Sequence, residues 1–283
     1  MTPAAKLGAY AVVLAVSLGG GALAGSAVGP IDEGGDAAGE PTGHGHDDSP
    51  PDAVEGHEQE VPGGVLVAAD GYRMEADETI LAAGSPGPFT FRITGPDERS
   101  VDEPHLVVVG ADLATYLHVH PHRVDGRTWS VELPGLAPGT YRAFADFAVP
   151  GGPELTLGLD LAVPGNAVFA PLPAPGATAA VDGYEVALSG TPAAGSASDV
   201  ELTVTKDGRA VTDLEPYLGS FGHLVAIRSG DLAYLHVHPH DDAAPPAVRF
   251  ALDVPSAGDY RLFFDFQHGG RVRTAAFTVH VQR

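Results

Sequence analysis

Beyond residue 61, apolar and polar positions alternate with a period of two, in short runs separated by Gly, Pro and Asp. Helical periodicity is nearly absent there. Successive side chains of a strand face opposite ways, so runs of this kind read as half-buried β-strands. The pattern predicts strands near residues 65–75, 88–94, 105–109, 116–121, 128–133, 140–147 and 155–163. It predicts a second set near 178–188, 199–205, 223–228, 234–239, 247–253, 259–266 and 271–281. Two such sets predict an all-β chain of two tandem antiparallel β-sandwiches, immunoglobulin-like or cupredoxin-like.

The two sets carry the same words. Tyr-Leu-His-Val-His-Pro-His runs from Tyr116 to His122 and again from Tyr234 to His240, each behind a His-Leu-Val triplet that begins at His105 or His223. Asp70-Gly71-Tyr72 is matched by Asp182-Gly183-Tyr184, and Phe144-Ala145-Asp146-Phe147 by Phe263-Phe264-Asp265-Phe266. A duplicated domain accounts for this, with repeat 1 over 62–165, a linker over 166–177 and repeat 2 over 178–283. Tyr141 and Tyr260 follow a Gly turn at the start of a late strand, which fits a tyrosine corner. The linker holds Val168, Phe169 and Leu172, so the repeats are expected to touch. Repeat 2 alone has a stretch from Leu214 to Gly222, aromatic and Gly-containing, placed to cover the histidines.

The N-terminal part follows another pattern. Residues 7–29 carry no charge and follow Lys6. At about 20 residues such a run is long enough to span a bilayer. Ala22-Leu23-Ala24 also fits a secretory signal cut after Ala24. Because the apolar run continues to Val28, residues 1–30 are read as an uncleaved membrane anchor, with a cleaved signal as the alternative. Both place the remainder outside the cytoplasm. Residues 31–61 hold ten acidic residues and no Lys or Arg, which predicts a disordered acidic tether. Its Gly43-His44-Gly45-His46-Asp47-Asp48 run and His57 can gather a divalent metal weakly; the plainer reading is a solvated spacer.

Charge and composition narrow the function. A formal net charge of −22 repels phosphates and argues against a nucleic-acid partner, while suiting cations. The chain has no Cys, so disulfides, thiolate sites and cysteine nucleophiles are excluded. Met occurs only at Met1 and Met74, which excludes a thioether-rich Cu(I) site.

The histidines carry the candidate chemistry. At i and i+2 on a strand, His118 and His120 share one face, as do His236 and His238. A hairpin with the preceding strand sets His105 opposite His120, and by the same register His223 opposite His238; a slip of one residue would separate them. Three imidazoles suit Cu(II) or Zn(II). Repeat 2 is the better equipped, with His223, His236 and His238 as ligands and His268 completing the site; His105, His118 and His120 form a second, weaker one. Asp146 and Asp265 are further candidates. Pro121 and Pro239 end the ladder and turn His122 and His240 away. The same stripe also fits a hydrogen-bonded network of neutral histidines, with the chain serving as a cell-surface structural or interaction module.

The late strand and its edge, Ala257-Gly258-Asp259-Tyr260-Arg261-Leu262-Phe263-Phe264-Asp265-Phe266-Gln267-His268-Gly269-Gly270, resemble periplasmic copper-resistance β-sandwich proteins of cupredoxin-like type. There a Gly-x-Tyr leads a strand that ends in a ligand His near a Gly. The resemblance implies copper binding on a β-sandwich. The chain departs from it in having no Cys, so blue-copper electron transfer is not implied. The whole chain is also similar to membrane-anchored actinobacterial two-repeat proteins that carry the same His-Leu-Val and Leu-His-Val-His-Pro words. A cupin-like metalloenzyme is a third reading, since cupins carry His-x-His. Asp125 and Asp242 fall near the position of the cupin Glu, but no later Pro-x-Gly turn is followed by the needed His. With no nucleophile elbow, phosphate loop or His-Glu-x-x-His, a binding protein is expected rather than an enzyme.

Overall fold

The computed structural model describes residues 61–96, 101–217, 219–235, 237–240 and 243–282. The expected anchor over 1–30 and the tether up to residue 60 lie outside them, as does His236. The chain from Glu58 to Arg283 forms one compact unit. Its first half folds as β1 (Ala68–Ala69), β2 (Tyr72–Ala76), β3 (Gly87–Thr94), β4 (His105–Gly110), β5 (Tyr116–Val119), β6 (His122–Arg123), β7 (Thr128–Leu133), β8 (Gly139–Ala148) and β9 (Glu154–Val163). The second half folds as β10 (Thr178–Val181), β11 (Tyr184–Ser189), β12 (Ser196–Lys206), β13 (Arg209–Ala210), β14 (His223–Arg228), β15 (Tyr234–Leu235), β16 (His238–Pro239), β17 (Ala247–Val254), β18 (Gly258–His268) and β19 (Arg271–Val281).

Each half is a sandwich of two antiparallel sheets, as the alternation predicts. Repeat 1 packs the sheet β1-β2-β3-β7-β6 against β5-β4-β8-β9; repeat 2 packs β10-β11-β12-β17-β16, with β13 beside β12, against β15-β14-β18-β19. The strand residues show why. On β3, Phe89, Phe91 and Ile93 are buried, while Pro88 and Arg92 are exposed. On β12, Val200, Leu202 and Val204 fill the same inward role. The expected first strand of each repeat is in fact a tight hairpin. Asp70 and Gly71 both have positive φ (48° and 80°), as do Asp182 and Gly183 (47° and 80°). Two consecutive left-handed residues make the I′ turn that Asp-Gly favours. Both tyrosine corners form: Tyr141 and Tyr260 donate their hydroxyls to the carbonyls of Ala137 and Ser256, each at 2.8 Å.

The heptapeptide is a strand that changes sheets. In repeat 1 its first four residues pair with β4, and His122–Arg123 then pair with β7 in the opposite sheet. In repeat 2 the crossing comes earlier. Only Tyr234 and Leu235 pair with β14, and His238 already pairs with Ala251 of β17. The two copies of one word therefore occupy different positions.

The two repeats pack against each other through β5-β4-β8-β9 and β15-β14-β18-β19. Along β4, Leu106 and Val108 belong to the core of repeat 1, whereas Val107 and Val109 join a separate apolar cluster with Phe144, Val225, Ile227, Tyr234 and Phe263. The outer faces of the two sheets are thus buried on each other. Tyr116 stacks on Phe263, with centroids 4.0 Å apart and planes 9° apart; reciprocally Tyr234 lies against Phe144 at 5.2 Å. A strap from Gly63 to Leu66 runs along β9 and reaches both repeats. Gly64 donates to the Thr156 carbonyl and Gly158 to that of Leu66, both at 2.8 Å, while the Tyr234 amide donates to Gly63 at 2.9 Å. Gly64 has φ +70°, and a Cβ there would lie 2.4 Å from the Phe144 ring, so only glycine fits.

Candidate metal centre

The hairpin of β4 and β5 fixes the first set of histidines. Leu106 pairs with Val119, Val107 with His118 and Val109 with Tyr116. One further step of this register puts His105 opposite His120, as the sequence predicts, and their ring centroids are 4.6 Å apart. His105, His118 and His120 share a face with Val107 and Val109. That face is the outside of the sandwich, covered by repeat 2.

One ligand atom from each of these three residues lies within 4.8 Å of the others, which makes them a group that could hold a metal ion. Two donors bonded at 2.0–2.1 Å to one ion stand about 3.3–3.4 Å apart in a tetrahedron and at most about 4.2 Å. His118 Nε2 and His105 Nδ1 are already 3.2 Å apart. His120 Nε2 is buried and has no hydrogen-bond partner among the described residues. A buried polar atom without a partner carries a penalty of about 1–3 kcal/mol, and a bound cation is one way to remove it. The residues therefore fit a divalent ion that prefers nitrogen donors.

Among the described residues, repeat 2 faces the cluster with hydrogen-bond partners. Asp265 on β18 accepts from His118 Nδ1 at 2.7 Å and from the Tyr116 hydroxyl at 3.2 Å, and Thr274 holds its other oxygen. With Nδ1–H committed to the carboxylate, the His118 lone pair is on Nε2, toward His105. His223 lies 5.7 Å and 5.8 Å, ring to ring, from His105 and His118. Its Nε2–H donates to the Tyr217 carbonyl at 2.9 Å. Tyr217 belongs to the stretch expected to cover the histidines, and its ring stands edge-on to His120 at 5.9 Å and to His223 at 5.8 Å. Beside the cluster is a cavity of about 260 Å³, lined by His105, His118, Asp146, His223, Tyr234 and Phe250 among others.

The surroundings keep His120 and His223 neutral. Burial, and then the proximity of His105, His118 and His223, lowers His120 to about 3. Burial also lowers His223, against the opposing pull of its bond to Tyr217. Neutral imidazole is the form that binds metal. Burial first, and then Asp265, raises Tyr116 well above the ordinary phenol value; Tyr234 is raised by burial and by Asp146. Both phenols stay protonated and act as donors to carboxylates.

The arrangement differs from the expected main site in repeat 2. His223 and His238 do not form the predicted cross-strand pair, because the chain leaves β14 after Leu235 and His238 pairs with β17 of the other sheet. His268 does not complete a site with His223. Its Nδ1 bonds the Tyr184 hydroxyl at 2.7 Å and its Nε2 lies 3.3 Å from Asp213. The cluster is instead the one expected to be weaker, with His223 added from across the interface. His122 is exposed on β6 and His240 pairs with Asp199 at 2.9 Å. Asp146 accepts from Thr156 at 3.0 Å and from Tyr234 at 3.3 Å. Sequence reasoning treated Asp265 only as a spare ligand and did not single out Tyr217. The signal for Asp265 was a carboxylate flanked by Phe264 and Phe266 on a strand buried on both faces.

Fold and site together define a tandem β-sandwich protein with a histidine cluster enclosed between its repeats. Residues 67–165 and 179–283 each match the family model described as "Domain of unknown function (DUF8832)", and the chain belongs to that family. No curated protein matches. Among solved structures the chain is similar to a titin segment, A168169, at 8% identity over 75% of this chain and 98% of that one, with a TM-score of 0.22. It is similar to Salmonella alpha-2-macroglobulin reacted with methylamine at 12% identity over 79% of this chain, with a TM-score of 0.27, and spans only 15% of that protein. It is similar to a DUF4785 family protein from Legionella pneumophila at 8% identity over 73% of this chain and 47% of that one, with a TM-score of 0.28.

Proposed function

We propose that this chain is an extracytoplasmic binding protein for a divalent transition metal, held by His105, His118 and His120 at the junction of the repeats. It acts as a carrier or sequestering protein rather than as an enzyme. The observation that carries this reading is the buried, unpartnered Nε2 of His120 beside two imidazoles within ligand reach. Copper is favoured and zinc is the alternative. Imidazole suits both, and the resemblance to copper-resistance sandwiches leans toward copper. Residues 7–29 would anchor the chain in a membrane, or direct its secretion if cut after Ala24.

A second reading has its own observation. His118 and His223 already hold good hydrogen bonds, to Asp265 and to the Tyr217 carbonyl, as in a structural network that only cements the repeats of a cell-surface interaction protein. Metal stoichiometry separates the two. The untagged chain, with His44, His46 and His57 replaced by Ala to silence the tether, is dialysed against Cu(II) or Zn(II) and analysed for metal. One ion per chain, lost in His118→Ala/His120→Ala, supports the metal site. Bound metal near zero, or equal in the double variant, contradicts it and favours the network.

A further inference from the structure

The ligands and the groups that orient them come from different repeats. Repeat 1 supplies His105, His118 and His120. Repeat 2 supplies Asp265, which is 2% exposed and holds His118 Nδ1 at 2.7 Å, and Tyr217 and His223, whose rings close over the cluster. Asp265 is itself held by Thr274 on β19, in register with it, so its position belongs to repeat 2. On an isolated repeat 1, His118 would have no carboxylate to fix its tautomer, and His105 and His120 would face water. Docking of the repeats thus orients and encloses ligands that the hairpin of repeat 1 already brings together.

We propose that metal binding and inter-repeat docking are thermodynamically linked, with Asp265 as the positioning residue that carries the link. This rests on the metal-binding reading above. A carboxylate that orients a ligand histidine changes metal affinity by about 10- to 100-fold. A ligand that binds the docked state more tightly must favour docking by the same factor. The ion is then a clasp: it is held when the repeats are docked and released more readily when they part. The repeats also share an apolar cluster, so the ion adds to a contact that has its own packing.

The test uses the full chain and Zn(II). Spin labels on cysteines introduced at Glu132 and Glu185, one exposed position on each repeat, report the inter-repeat distance; the chain has no native Cys to interfere. Zinc is expected to narrow the distance distribution, and Asp265→Asn to weaken zinc binding about 10- to 100-fold. In the Cu(II)-loaded form, electron spin resonance of Asp265→Asn is expected to show one imidazole nitrogen fewer, which a general loss of packing would not select. Tyr260→Phe removes a buried bond away from the cluster, so it should bind zinc as the unaltered chain does. If Asp265→Asn binds zinc normally, or if zinc leaves the distance distribution unchanged, the linkage is overturned while the metal site stands. If the unaltered chain binds no zinc or copper, the metal-binding reading fails first.

Discussion

Asp265 of the second repeat holds His118 of the first, carboxylate oxygen to Nδ1 at 2.7 Å, with both side chains almost fully enclosed. The contact spans 147 positions in sequence and joins two domains that descend from one. It makes the orientation and burial of the histidine cluster depend on the interface, although all three histidines stand on one hairpin of repeat 1.

The stack of Tyr116 on Phe263 should matter as much to the fold as to the site. Phe263 is 2% exposed and lies in the apolar cluster shared by both repeats. Phe263→Ala is expected to cost about 3–5 kcal/mol and to separate the unfolding of the repeats into two transitions. Differential scanning calorimetry checks this; a single transition at the original temperature would contradict the packing described.

Acid should destabilise the metal-free protein. His120 is lowered from 6.5 to about 3 in the folded chain, and His223 moves the same way. Between those two values the unfolded chain takes up a proton that the folded chain refuses. The contribution is therefore complete above about pH 6.5 and lost as pH falls toward 3. Thermal melts of the apo protein should show Tm falling across that window, with a shallower fall in His120→Gln. Equal slopes in the two proteins would remove His120 from the account.

The tyrosine corners offer a test away from the site. Tyr260→Phe deletes the bond to the Ser256 carbonyl, which should cost about 0.5–1.5 kcal/mol, and should leave metal stoichiometry unchanged. Urea unfolding and metal analysis of the same sample give both readings.

Much of this fold was legible in the sequence. Alternation located most strands and the Gly-x-Tyr words marked both corners, but alternation ran straight through the Asp-Gly turns that fold the expected first strands into hairpins. The pairing of His105 with His120 followed from strand geometry alone. The inter-repeat contact was expected from the apolar linker, but Val168 and Phe169 are exposed and the contact rests on other residues. Leu106–Val109 and Leu224–Ile227 are continuous apolar runs, and continuous runs mean burial on both faces. The early sheet crossing of the second heptapeptide was not legible, because the two words are identical. What differs is the longer-range pairing with β17, which draws His238 to the opposite sheet. Nor does sequence separation hint that Asp265 would serve His118 instead of its own repeat.

The central claim is that His105, His118 and His120 together bind one ion, and X-ray absorption of the metal-loaded chain tests it most directly. With the tether histidines His44, His46 and His57 replaced by Ala, the zinc edge should report three imidazole nitrogens at about 2.0–2.1 Å, a shell that His118→Ala/His120→Ala should lose together with the ion. A shell of oxygen ligands without imidazole scattering, or a spectrum unchanged in the double variant, would contradict it.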